Sequence, residues 1–151
     1  MRRIAILAAI GVIGLVAIAA CSRHGGPPIG RWIGTYETAG IMVDARLEIL
    51  RNGAVRISAP NMLGGGDVSD EERTVLHARL AGDLEKGWAG VAPRPMDFDG
   101  RVFRKPGGLA PQMEWNPDTG EMKLVFYFGR QKSVRIVMKK VTDFSADPWR
   151  S

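Results

Sequence analysis

Side chains able to do chemistry are few in this sequence: one cysteine, Cys21; two histidines, His24 and His77; and the acidic turn Asp97-Phe98-Asp99-Gly100. A thiolate is a nucleophile or a metal ligand, and an imidazole is a general base. Serine hydrolysis of the nucleophile-elbow kind needs a Gly-x-Ser-x-Gly turn, which the chain lacks. His77 is the candidate base that remains, and its spacing puts it at the edge of a helix's apolar face, where a structural role suffices. Asp97 and Asp99 have the spacing of a calcium loop, but the further acids such a loop needs downstream are missing, so the segment reads as a polar turn. The two histidines lie far apart in the sequence, which argues against a metal site, and no glycine-rich phosphate cradle joins a strand to a helix. The sequence therefore assigns no catalytic residue, no metal and no cofactor.

What precedes Cys21 decides what its thiol is for. Met1-Arg2-Arg3 is a short positive start, Ile4 to Ala20 is an unbroken run of Ile, Leu, Val, Ala and Gly, and small residues stand just before the cysteine. Charge, apolar stretch and small-residue cleavage site make up an export signal. Ile18-Ala19-Ala20-Cys21 resembles the lipobox of bacterial lipoproteins. The resemblance implies that residues 1–20 are a signal peptide removed on maturation, and that Cys21 carries diacylglycerol and an acyl chain such as palmitate. It also implies that Ser22, not being aspartate, directs the chain to the outer membrane, facing the periplasm. A retained transmembrane anchor competes with this reading. It needs roughly 20 apolar residues, and this run, with Gly11 and Gly14 in it, reaches the short end of the range. A lone cysteine suits lipidation, whereas a disulfide framework would use an even set.

The chain has 151 residues and a formal charge of +5, of which Arg2 and Arg3 leave with the signal. One domain is the natural count, and a chain of this size can bury roughly two thirds of its unfolded surface without help from metals or disulfides. The mild positive excess favours anionic headgroups as a contact, while an exported protein does not meet nucleic acid. Residues 21–30 hold the lipidated cysteine and a flexible tether, "SRHGGPPIG", in which His24 is solvated. Residues 31–142 form the globular domain and 143–151 a C-terminal tail.

Alternation sets the elements. In "VDARLEI", Val43, Ala45, Leu47 and Ile49 share one face of a half-buried strand and Asp44, Arg46 and Glu48 the other. Parity then fixes the following turn: a loop over Arg51-Asn52-Gly53, with Gly53 left-handed, sets Ile49 opposite Val55 and Leu47 opposite Ile57. A loop over Pro117 to Gly120 likewise pairs Trp115 with Met122 and Met113 with Leu124, and places Glu114 opposite Lys123 as an ion pair. Further strands are expected at "GRWIGTYE", "FDGRVFR" and "VRIVMKKV". Ser69 and Glu72 form a capping box, acids crowd the first turn, and Leu76, Leu80, Leu84 and Trp88 follow at helical spacing. Arg73 and His77 interrupt that apolar arc, and Gly82 weakens the middle.

The expected fold is α+β and mainly antiparallel β: a small barrel or half-barrel of about seven strands with one inserted helix, about 69–88. Gly30-Arg31-Trp32 resembles the Gly-x-Trp of the first lipocalin strand, which implies a small β-barrel. Candidate pocket-lining residues are Trp32, Trp88, Trp115, Phe126 and Phe128, whose plainer reading is ordinary core. Lys123, Arg130, Lys132, Arg135 and Lys139 are candidates for contact with anionic lipid or polymer. The expected function is a lipid-anchored cell-envelope binding or interaction module. The alternatives are an envelope-acting hydrolase or transferase, and a structural subunit partnered by another envelope protein.

Overall fold

The computed structural model describes residues 25–38, 40–63, 68–130 and 132–149. The expected signal 1–20, Cys21 and the start of the tether lie outside the described residues. Strands β1 (Gly30–Thr38), β2 (Ile41–Ile49), β3 (Val55–Ser58) and β4 (Asn61–Met62) precede helix α1 (Asp70–Trp88). After it come β5 (Asp97–Phe98), β6 (Val102–Arg104), β7 (Pro111–Asn116), β8 (Glu121–Phe128) and β9 (Lys132–Val141). All pair antiparallel in one sheet, in the order β3-β2-β1-β9-β8-β7-β6-β5, with β4 beside β2. Among the described residues the sheet curls into a half-barrel with a single helix. The strands beyond the expected seven include β4 and β5, each two residues long and too short to carry an alternation.

Both parity-derived hairpins form in the expected register, Ile49 against Val55 and Trp115 against Met122. Gly53 and Gly120 close them at φ 81° and 70°, in the left-handed region that favours glycine. The inner face gathers Trp32, Val43, Ala45, Leu47, Ile49 and Val55 from one half and Phe103, Met113, Met122, Leu124, Ile136 and Met138 from the other. Gly34 sits where β9 crosses the inner side of β1, and a Cβ there would lie 2.8 Å from the Val137 carbonyl oxygen. At the rim, Val55 and Arg94 exchange backbone hydrogen bonds of 2.8 and 2.9 Å. The chain leading into β5 is thereby drawn against the free edge of β3.

The capping box forms as expected, with Glu72 Oε2 accepting from the Ser69 N–H at 2.9 Å and Ser69 Oγ from the Glu72 N–H at 3.3 Å. From the sequence, Leu76, Leu80 and Leu84 are expected to form one continuous core with the apolar faces of the two hairpins, and the helix corrects this. Leu80, Leu84 and Trp88 are buried, but they do not join the inner core. They press on the opposite, outer face of β2 and β3, and Leu76 is only half-buried. No helix among the described residues is long and apolar enough to cross a membrane.

Candidate functional site

The outer face of β2 was expected to meet solvent, yet Asp44, Arg46 and Glu48 are 1%, 7% and 9% exposed. Two elements cover it: α1 on one side, and on the other the segment Phe144 to Trp149 that follows β9. A strand buried on both faces normally reads as a continuous apolar run. Here the second face is polar, so every buried charge needs a partner.

Most find one. Glu48 accepts from Arg31 Nε at 2.8 Å and from Arg56 Nη1 at 3.1 Å. Arg56 also donates to the carbonyls of Trp88 and Val91, each at 2.8 Å, closing the C-terminal end of α1 where a cation suits the helix dipole. Its guanidinium lies 4.3 Å over the Trp88 ring. Arg46 donates from Nη2 to Glu85 at 3.0 Å and lies 4.6 Å over Phe144, whose ring meets Trp88 edge-on at 5.0 Å. Farther along, Glu37 at the outer side of β1 takes His77 Nε2 at 3.1 Å and pairs with Arg73 Nε at 3.0 Å. The polar breaks in the helical arc are therefore the points at which α1 grips β1. The His77 ring stacks on Trp149 with centroids 3.8 Å apart and planes 11° from parallel.

Asp44 stands apart. Both carboxylate oxygens are buried without a hydrogen-bond partner among the described residues, and so is Nε1 of Trp149. Burial pushes the Asp44 carboxyl up to about 6; the nearby Trp149 indole N–H, Arg46 and the Ala45 amide pull against that rise, and Asp147 adds to it. Around this carboxylate lies a cleft of about 530 Å³, walled by Ile33, Leu84 and Phe144 and edged by Glu85 and Asp147. The hydroxyls that line it are occupied: Thr74 donates to the Asp70 carbonyl at 2.8 Å, and Ser145 to Asp143.

No family model, curated protein or solved structure matches the chain. What the cleft can do therefore follows from its own geometry.

The residues singled out from sequence are scattered. Trp32 is core at 1% exposed, Trp115 and Phe126 pack against that core, and Trp88 is buried on the outer face beneath Arg46 and Arg56. Phe128 alone of the five lines a described cavity, a shallow depression at the end of the half-barrel with Tyr36 and Ile41. Strand aromatics on the inner parity go to the core, so the cleft draws its walls from the helix and the tail instead. Lys123 opposes Glu114 in register, but it pairs with Glu121 at 2.9 Å. Glu114 is taken by Arg135, whose planar fork reaches both carboxylate oxygens and whose guanidinium is held above its ordinary pKa by that bond. Lys139 is exposed on the outer side of β9, and Arg130 and Lys132 are exposed at the β8–β9 turn. At the acidic turn, Asp99 accepts from Arg104 at 2.6 Å and from the Arg101 and Val102 amides, which lower its carboxyl to about 2. Asp97 accepts from the Gly107 N–H at 3.2 Å. Both carboxylates thus shape the turn itself.

Sequence reading missed Asp44, Phe144 and Trp149. The available signal was a pair of aromatics, Phe144 and Trp149, in an otherwise polar and small-residue tail.

Proposed function

We propose that the chain is a lipid-anchored protein of the bacterial cell envelope whose half-barrel is a small binding module, with the cleft between β2, α1 and the tail as its site. The anchor is assigned to Cys21, on the positive start, apolar run and lipobox-like Ile18-Ala19-Ala20 before it, and the outer membrane, facing the periplasm, follows from Ser22. The observation that carries the binding reading is the unpartnered Asp44 carboxylate in a cleft whose hydroxyls are already engaged. Mass spectrometry of the membrane fraction is expected to find a chain beginning at Cys21 with added acyl mass. An intact chain beginning at Met1 would replace the lipoprotein by a retained anchor.

One observation favours an envelope hydrolase or transferase. The His77–Glu37 pair, at 3.1 Å, has the form of a base held by a carboxylate. The stack of His77 on Trp149 opposes it by burying one face of the imidazole. His77→Gln is expected to complement a deletion strain at normal protein level. Loss of complementation at normal abundance would favour the enzyme.

A further inference from the structure

We infer that the cleft binds a small organic ammonium compound, with its charged nitrogen against the Asp44 carboxylate and its apolar body against Ile33, Leu84 and Phe144; this rests on reading the cleft as a binding site. Three features of the cleft point to that chemistry. Asp44 is 1% exposed and neither oxygen closes a hydrogen bond among the described residues, with the Trp149 indole N–H and the Ala45 amide only nearby, so acceptor capacity remains for a better-placed donor. An ammonium supplies up to three donors and a full positive charge to such a carboxylate.

The local charge has the opposite sign to the whole. The chain carries +5, yet Arg46, the cation that lines the cleft beside Asp44, is already shared with Glu85. An excess of carboxylate over guanidinium in a cleft favours cations there over anions.

The shape selects an organic cation. Among the described residues no group of three His, Cys, Asp or Glu is placed to hold a metal ion. The walls are aliphatic and aromatic, and about 530 Å³ falls in the usual range for small-molecule sites. Asp44 lies behind the tail, so a ligand nitrogen takes the place beside it that the Trp149 indole N–H now holds without closing a hydrogen bond.

The test uses the full chain in detergent, with n-butylamine as probe and n-butanol and butyrate as its neutral and anionic counterparts, at pH 8. Binding is followed by NMR at the Trp149 indole N–H, assigned by its loss in Trp149→Phe. Butylamine should shift that signal saturably, butanol should bind at least tenfold more weakly, and butyrate should leave it unmoved. Asp44→Asn should weaken butylamine at least tenfold while leaving butanol unchanged.

A pH arm needs no variant at Asp44. Its carboxyl titrates at about 6, so butylamine, charged throughout, should bind about tenfold more weakly at pH 5 than at pH 8. Arg46 on β2, Glu37 on β1, Arg73, His77 and Glu85 on α1, and Asp147 in the tail also face this region, so the titration is repeated in His77→Gln, where the loss should persist. A butylamine response that is absent, or that survives both Asp44→Asn and pH 5 undiminished, overturns the inference. Saturable binding of butanol or butyrate that matches or exceeds butylamine also overturns it, but leaves the cleft as a binding site. The envelope reading stands or falls separately, on acylation at Cys21.

Discussion

The outer face of β1–β3 and the outer face of β7–β9 are written in the same sequence pattern and end in opposite environments. On the first, Asp44, Arg46 and Glu48 alternate with core residues and are buried beneath α1 and the tail. On the second, Lys123, Arg135 and Lys139 alternate with core residues in the same way and remain half-exposed or exposed, with ion pairs formed sideways to Glu121 and Glu114. Period two says which residues share a side. What lies over that side is set by elements that the period does not describe. Burial then changes what a charge means: exposed pairs in water are worth little, whereas a charge on the covered face costs several kcal/mol unless satisfied.

The inner core lies under both faces and gives the scale against which they can be compared. Leu124→Ala should lower the unfolding free energy by roughly 2–5 kcal/mol, read from chemical denaturation. A smaller loss would mean that the half-barrel interior is poorly packed.

On the covered face the next effect is a pH slope. Asp44 has a folded pKa raised to about 6 above its ordinary value of 3.8, so its stabilising contribution is complete below that ordinary value and is lost as pH rises through 6. The loss is on the order of 3 kcal/mol. Asp44→Asn should therefore flatten the stability profile between pH 4 and 6 and melt higher than the parent at pH 7.5. An unchanged slope would show that Asp44 is solvated. Asp99 runs the other way: its pKa is lowered to about 2, so its contribution is present above 3.8 and fades as acid is added below that value.

Glu48→Gln leaves Arg31 and Arg56 sharing a neutral acceptor and should cost about 1–3 kcal/mol in denaturant unfolding. The smallest effect belongs to the bare face. Arg135→Gln removes an exposed pair with Glu114 and should leave the melting temperature within error, and the comparison fails if its cost rivals that of Glu48→Gln.

Local physics was legible. The pairing of Ile49 with Val55 and of Trp115 with Met122 followed from parity, and Ser69 with Glu72 announced the start of the helix. These are decisions among near neighbours in the chain. The site was not legible, because it joins Asp44 on β2, His77 on α1 and Trp149 beyond β9, and no sequence period links them. Arg56 shows the same limit, since nothing in "VRIS" says that it will hold the carbonyls at the end of α1. Aromatic content misled the search for a pocket for a related reason: Trp32, Trp115 and Phe126 lie on the parity that the sheet turns inward.

The exchange between Val55 and Arg94 bears on how copies of this protein tolerate crowding. An open strand edge is a template on which another chain can lay a strand of its own, the first step of fibre growth. The outer margin of β3 would offer such a template, but the segment between α1 and β5 takes its first residue, Val55, with two backbone hydrogen bonds. At the other end of the sheet the margin is β5, two residues long and headed by a charged Asp97. The molecule thus blocks the start of one margin with a single bridge of its own backbone, and its other margin is only two residues long.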